Sequence, residues 1–355
     1  MIVKVSKIIS ALVLIVAAVT VSAEKGDYYE ELVSIERNML NGNSYIEKRL
    51  KTISQHQDKF TQLENDFYQL LQAHHDYLSS DLEACKERLK SLISKTSSID
   101  IKAKSNILLA TAEHVLGNHV ESFIALDKAV TAVPHLNRQR YKASILQTAV
   151  GIYQQAELFE FALELARNLQ VEAEKLKNGE YLCIANYELG AIEQRTGQVK
   201  MAKQRLMLAV EHCKNNKSKI FEYVSIIALN EIIADYGGLE KSNQALKKII
   251  QPVKAIGWKN LIARLNIAIA KNYLRMDDYN QAEKHALISY NEANEGRDKR
   301  RLQQSAEILA QVYTKMDQKE KALKYYNQFR ELNSESKVKI RQRKLAFDLA
   351  RRGKL

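Results

Sequence analysis

The sequence predicts an all-α protein in which helical hairpins stack in tandem as an α-solenoid. Composition is the first reason: only 12 glycines and 2 prolines occur among 355 residues, and a β-rich chain of this length needs many more turn residues. The second is the dominance of Ala, Leu, Lys, Glu and Gln, which lose little side-chain freedom in a helix. The third is that small and apolar residues recur at a fixed interval of forty residues.

The chain begins with the pattern of an export signal. Two lysines, Lys4 and Lys7, precede an apolar stretch over residues 8–21, and Val21-Ser22-Ala23 supplies the small residues of a cleavage site. We therefore predict a signal peptide over residues 1–23 and a mature chain in the periplasm of a bacterium. The alternative is an uncleaved signal that anchors the chain in the inner membrane.

Residues 24–102 are predicted to be helical but lie outside the forty-residue phase. Apolar residues occur at helical spacing in four segments: Tyr28–Leu40, Tyr45–Gln55, Phe60–Tyr77 and Leu82–Leu92. Terminal repeats are atypical because they cover an apolar face that would otherwise be exposed. We interpret this region as an N-terminal cap of degenerate repeats.

Residues 103–335 carry the tandem repeats. One column contains only small residues: Ser122, Ala162, Ala202, Ser242, Ala282 and Ala322. A second contains only apolar residues: Leu109, Ala149, Leu189, Leu229, Ile269 and Leu309. The turn within five of the six hairpins is marked by Gly117, Gly197, Gly237, Asp277 or Asp317. Unrelated amphipathic helices would share the 3.6-residue period but no fixed phase. For the third repeat we predict helices near 183–196 and 199–215.

The last segment, residues 336–355, is predicted to be a basic helix. Its cationic residues are Lys337, Lys339, Arg341, Arg343, Lys344, Arg351, Arg352 and Lys354. Val338, Leu345 and Leu349 form an apolar stripe that we expect to continue the packing surface of the last repeat. Two interpretations remain open: a helix that lies on anionic lipid, and a cap helix that only solvates the end of the array.

These columns resemble the tetratricopeptide repeat superfamily over about residues 103–342. The resemblance implies a right-handed superhelix whose concave wall, formed by the first (A) helix of each hairpin, binds a peptide or protein segment. The order of signal, repeats and basic helix also resembles the periplasmic sensory half of bacterial membrane-bound diguanylate cyclases. In those proteins a membrane span and a catalytic domain follow, whereas this sequence stops at Leu355. That likeness implies a stand-alone or shortened sensor module without catalytic output.

The superfamily geometry also implies which side chains face the concave groove. In this sequence they are Gln147, Gln154, Tyr187, Gln194, Arg195, Glu231, Arg264, Lys271, Arg275, Gln304 and Glu307. Gln, Arg and Tyr side chains can bond the backbone amides of an extended peptide. The alternative is an inner face that is merely solvated.

Cys183 and Cys213 lie at neighbouring ends of two antiparallel helices of the third repeat. In an oxidising compartment they can form a disulfide, although small apolar cysteines in a helical core are the commoner case. Cys85 remains a single thiol. Adjacent His74 and His75 point to different sides of a helix, so the sequence predicts no metal site.

No catalytic motif and no cofactor-binding motif occurs, so we predict that the protein is not an enzyme. The formal charge is +12, which behind an export signal favours an acidic protein or an anionic membrane surface over nucleic acid. We predict a periplasmic scaffold or sensor-like module that binds a protein or peptide in its groove. The alternative is an envelope assembly factor that docks on anionic membrane through the basic C-terminal helix.

Overall fold

Six antiparallel hairpins follow one another without interruption in the computed structural model, which describes residues 26–39 and 43–353 and contains no strand among them. The A helices are α5 (Ile99–Leu116), α7 (Gln139–Gln155), α9 (Gly179–Arg195), α11 (Lys219–Asp235), α14 (Lys259–Arg275) and α16 (Lys299–Lys315). The B helices are α6 (His119–Ala132), α8 (Phe159–Lys175), α10 (Val199–Asn215), α12 (Leu239–Lys248) with α13 (Ile250–Ile256), α15 (Tyr279–Glu295) and α17 (Lys319–Arg352). The predicted all-α solenoid of hairpins is confirmed.

The forty-residue period comes from long helices. In the third hairpin α9 and α10 are both 17 residues long, and a three-residue turn follows each of them. Helix α9 begins four residues before the predicted residue 183. Its first turn is stabilised by the Asn178 side chain, which accepts hydrogen bonds from the backbone N–H groups of Glu180 and Tyr181.

Every turn within a hairpin has the same backbone conformation. Positive φ angles occur at residues forty apart: Gly117 (88°), Glu157 (55°), Gly197 (80°), Gly237 (91°), Asp277 (56°) and Asp317 (56°). A left-handed residue after a helix C-terminus ends the helix and satisfies its last carbonyls. The five predicted turn residues are therefore confirmed. Glu157, which has no turn signature, completes the series because the packing of the neighbouring helices fixes the chain path.

The column of small residues lies where the two helices of a hairpin cross. Five of its six members are fully buried, and Ala322 is half-buried. The two serines donate hydrogen bonds to A-helix carbonyls twelve residues earlier, Ser122 Oγ to Ala110 O (2.7 Å) and Ser242 Oγ to Asn230 O (2.9 Å). Small side chains thus allow close approach, and the serine hydroxyls find partners there.

Substitution of two glycines by alanine tests this close packing. At Gly190 an added Cβ would lie 2.8 Å from Leu206 Cγ, whereas at Gly151, also inside an A helix, it would meet nothing within 4 Å. We expect Gly190→Ala to lower the free energy of unfolding by about 1–3 kcal/mol through overpacking. Gly151→Ala should raise it by about 0.5–1 kcal/mol, because alanine favours the helix. Urea unfolding of both variants checks the prediction, and equal effects would contradict it.

An N-terminal cap of four helices precedes the hairpins. They are α1 (Tyr29–Arg37), α2 (Asn43–Ser54), α3 (Gln62–Leu78) and α4 (Leu82–Lys95). At the start of α3, Thr61 and Glu64 form a reciprocal capping box. Apolar residues of the cap and of the first hairpins form one continuous core, so the cap covers the exposed end of the array.

The last helix differs from the prediction. Helix α17 is continuous over 34 residues, so the predicted boundary between residues 335 and 336 falls inside it. The predicted packing stripe is wrong: Val338, Leu345 and Leu349 are 46%, 61% and 48% exposed. A different face of the helix is buried, formed by Ala346, Phe347 and Ala350.

This buried face closes the solenoid on itself. The Phe347 ring lies 5.3 Å from that of Phe123, 5.8 Å from that of Tyr153 and 4.8 Å from that of Phe161, so α17 contacts the first two hairpins. Arg343 also donates a hydrogen bond to the backbone carbonyl of Gln155 (3.0 Å). We call this contact the closure; it makes the stacked hairpins surround a central space.

A disulfide joins Cys183 to Cys213 in the third hairpin. Cys85 is a buried free thiol, and burial raises its pKa to about 12, which makes it unreactive. Between residues 26 and 353, as far as they are described, no helix combines the length and the apolar character that a membrane span requires. The predicted signal peptide lies outside the described residues.

Candidate functional site

The central space consists of two cavities of about 600 Å³ and 1340 Å³. The first is lined by A helices from α7 to α16, and the second is lined by residues of α3, α5, α7, α9, α14, α16 and α17. Five residues line both cavities: Gln154, Tyr187, Arg195, Arg300 and Gln304. The two cavities therefore meet at a shared wall, which we call the junction.

The structure brings ten of the eleven predicted groove residues to the first cavity: Gln154, Tyr187, Gln194, Arg195, Glu231, Arg264, Lys271, Arg275, Gln304 and Glu307. Gln147 lines neither cavity. It lies two helical turns before Gln154, about 10 Å along α7. That the ten residues bind a partner stays a prediction.

Sequence reasoning missed the lining residues at the start of α16. Arg300 and Arg301 lie in the first turn of this helix, before residue 303, which is the start obtained when the predicted start at residue 183 is moved on by three periods of forty residues. Helix residues four apart share a face, so Arg300 lies on the same face as Gln304. Gln304 and Glu307 were predicted to face the groove. The same helix face, followed one turn towards the N-terminus, would have identified Arg300 as well.

Three linked polar side chains line the first cavity. Arg264 donates to the Tyr187 hydroxyl (2.8 Å) and lies 3.6 Å from a carboxylate oxygen of Glu231. Burial lowers the pKa of Arg264, but Tyr187 and Glu231 raise it more, and the net shift is upward. The guanidinium therefore stays charged and holds three A helices, α9, α11 and α14, in a fixed arrangement.

Neighbouring hairpins are linked by further ion pairs along the same wall. Arg275 pairs with Asp235 (2.9 Å) and Arg195 with Glu157 (3.3 Å). Both pairs are partly exposed to solvent, and ion pairs of this kind contribute little stability. Their effect is to fix the orientation of the arginines at the cavity surface.

Glu188 is the acidic group of the second cavity whose pKa is raised. Burial raises its pKa, the hydrogen bond from Gln154 (2.7 Å) and the charge of Arg264 lower it, and the result is about 7. The folded protein therefore binds this proton more tightly than the unfolded chain does. The resulting stabilisation is fully present below the unfolded-state pKa and is lost as the pH rises through 7.

Replacing this carboxyl with an amide should remove the pH dependence. Relative to Glu188→Gln, we expect the wild type to lose about 1 kcal/mol of unfolding free energy per pH unit between roughly pH 5 and 7. The glutamine keeps an oxygen that accepts the Gln154 hydrogen bond. Urea unfolding of both proteins across this range measures the difference. Parallel pH profiles would show that Glu188 is ionised throughout.

The chemistry available in the two cavities is that of recognition. Amides, guanidinium groups and a tyrosine hydroxyl converge on the junction, and these groups bond to peptide amides and carboxylates. Among the described residues, no three His, Cys, Asp or Glu side chains are grouped to hold a metal ion.

Fold and site together define a TPR-like helical solenoid with a polar interior. No family model matches the sequence, and no curated protein matches it. Several solved structures are similar to this protein. A Rap protein complexed with Competence and Sporulation Factor is 11% identical, with 88% of this chain and 97% of that chain covered and a TM-score of 0.61.

Two further structures are similar to the same extent. The apo form of RapI is 13% identical, with 89% of each chain covered and a TM-score of 0.62. The apo form of the quorum sensor NprR from B. thuringiensis is 16% identical, with 86% of each chain covered and a TM-score of 0.62. At these identities the likeness shows the fold alone.

Proposed function

We propose that this protein binds an extended peptide, or the extended tail of a partner protein, inside its solenoid. The observation that supports this most strongly is the polar space lined by five successive A helices, α7, α9, α11, α14 and α16. Two adjoining cavities of about 600 Å³ and 1340 Å³ exceed what most small ligands need, since their pockets span about 300–1,000 Å³. Gln, Arg and Tyr side chains in the wall can pair with backbone amides along an extended chain.

The similar structures support the same class of function. One of them is a Rap protein in complex with Competence and Sporulation Factor, and another is a quorum sensor. We infer that this chain is also a sensor-like binding module, without catalytic output of its own. The likeness to the sensory half of membrane-bound diguanylate cyclases fits this proposal and remains a sequence-based prediction.

The proposed location is the periplasm. The sequence pattern of residues 1–23 supports export, and the disulfide between Cys183 and Cys213 suits an oxidising compartment. Fractionation of cells that express the tagged chain tests this location. Recovery of the protein with the cytoplasmic fraction would contradict it.

Selection of peptides by the intact protein tests the proposed function. A library of random peptides is selected on the immobilised full chain, and the affinity of enriched peptides is measured by calorimetry. Gln304 lies at the junction, so Gln304→Trp should fill this space and weaken binding about tenfold or more. Glu211→Trp is the matched control, because Glu211 is exposed on α10 and lines neither cavity.

The outcomes separate interior binding from surface binding. Loss of affinity in Gln304→Trp with retention in Glu211→Trp supports the proposal, provided both variants melt like the wild type. Equal affinities of both variants would move the binding site out of the interior. Enrichment of no peptide by the wild type would contradict the proposed function.

A second candidate function is favoured by one observation. The stripe of Val338, Leu345 and Leu349 is exposed on the outer side of α17, beside the exposed basic residues Lys344 and Arg352. An amphipathic basic surface of this kind can lie on anionic lipid. It supports an envelope assembly factor that docks on membrane through its C-terminal helix.

Sedimentation with phosphatidylglycerol vesicles tests this candidate. Deletion from Ser336 onward would also remove Phe347 and the closure, so a triple substitution of the stripe, Val338→Ser, Leu345→Ser and Leu349→Ser, is the better variant. Docking predicts that the wild type sediments with anionic but not neutral vesicles, and that the variant stays in solution. Failure of the wild type to sediment excludes the candidate.

A further inference from the structure

The interior of the solenoid is electropositive. Among the described residues, the side chains that line the two cavities include twelve arginines and lysines but only seven aspartates and glutamates. Walls of one dominant sign concentrate the field inside a cleft and attract ligands of the opposite charge. The excess of positive charge therefore indicates an anionic ligand.

Most of the basic groups that line the first cavity are already paired with an acidic neighbour. Four arginines form ion pairs: Arg195 with Glu157, Arg264 with Glu231, Arg275 with Asp235, and Arg301 with Asp298. Arg300 and Lys271 form neither a hydrogen bond nor an ion pair with any residue that the structure describes. The uncompensated charge of the first cavity is concentrated on these two side chains.

Arg300 lies where positive charges are crowded. Burial lowers its pKa first, and the charges of Arg195, Arg301 and Arg264 lower it further, against a smaller opposing effect of Asp298. Repulsion among these positive groups is relieved when an anion binds between them.

We propose that the junction binds a carboxylate of an acidic peptide, with Arg300 as its main ion-pair partner and Arg301, next to it in the chain, adding positive charge. This inference rests on the proposed function, because the acidic segment is the peptide that the interior would hold. A guanidinium matches a carboxylate with two parallel hydrogen bonds. Gln154 and Gln304, at the same junction, would bond the peptide backbone on either side of the carboxylate.

Peptide pools that differ only in charge test the inference. Three degenerate pools of equal length carry a neutral fluorophore: one has Asp and Glu at alternate positions, one has Asn and Gln there, and one has Lys and Arg. Anisotropy titrations with the full chain measure the affinity of each pool. We expect the acidic pool to bind on the order of tenfold or more tightly than the neutral pool, and its affinity to fall as salt is added.

Substitution of Arg300 locates the interaction. Arg300→Gln should weaken binding of the acidic pool on the order of tenfold to a hundredfold and should weaken binding of the neutral pool far less. Arg330→Gln removes the same charge from an exposed position of α17 outside both cavities, so it should bind like the wild type. Arg300→Lys keeps the charge without the bidentate geometry and should give an intermediate affinity, which also covers the case that Arg300→Gln misfolds.

Failure of the inference and failure of the proposed function give different results. Equal binding of the neutral and acidic pools, or unchanged acidic binding in Arg300→Gln, would overturn the inference while the proposed function stands. Preference for the basic pool would also overturn it. If none of the three pools binds, the proposed function fails and the inference fails with it.

Discussion

Phe347→Ala is expected to detach the C-terminal half of α17 from the first two hairpins. Phe347 is buried, and its ring contacts the rings of Phe123, Tyr153 and Phe161. Removal of a buried phenylalanine ring costs about 3–5 kcal/mol. Because few other buried side chains hold this end of the helix, we expect local release before global unfolding.

Limited trypsin digestion measures this release, since residues 337–352 contain many lysines and arginines. The variant should be cleaved within this segment much faster than the wild type, while the hairpins stay intact. Leu345→Ala is the matched control, because Leu345 lies two residues away but is 61% exposed. Identical cleavage of Phe347→Ala and the control would show that the closure does not hold the helix.

Reduction of the disulfide between Cys183 and Cys213 is expected to lower the free energy of unfolding by about 3 kcal/mol. The bond joins residues 30 apart in sequence, and without it the unfolded chain gains conformational freedom. Urea unfolding of the wild type with and without dithiothreitol measures the difference without any change of side chain.

A Cys213→Ala variant supplies the control for this comparison. It cannot form the bond, so its unfolding should not respond to dithiothreitol, and Cys85 is present in both proteins. A count of three free thiols in the non-reduced wild type, together with equal midpoints, would contradict the prediction. One free thiol per denatured chain is the expected count.

The repeat architecture was predictable because its cause is local and recurs. Close helix packing needs a small residue at one position of each hairpin, and Ala162, Ala202 and Ala282 show this requirement directly in the sequence. The start of each A helix was less predictable. Helix α9 gains its first turn from the Asn178 side chain, and one polar cap residue is a weak signal beside a column that recurs in six hairpins.

The candidate site was predicted in part for the same reason. Ten groove residues follow from their positions in the aligned repeats. Arg300 lies in the first turn of α16, and the aligned repeats did not predict that this helix begins so early. The closure was not predictable from local pattern. Helix α17 has apolar residues on two faces, and only contact with Phe123, more than two hundred residues earlier, decides which face is buried.

Photo-cross-linking tests most directly the central claim that the partner is bound inside the solenoid. A peptide selected by the full chain is prepared with a photoreactive phenylalanine analogue, irradiated in complex, and its adducts are located by mass spectrometry. We expect adducts on cavity-lining residues of α9, α11, α14 and α16, with loss of the signal when unlabelled peptide competes. Adducts confined to the B helices or to the outer face of α17 would contradict interior binding.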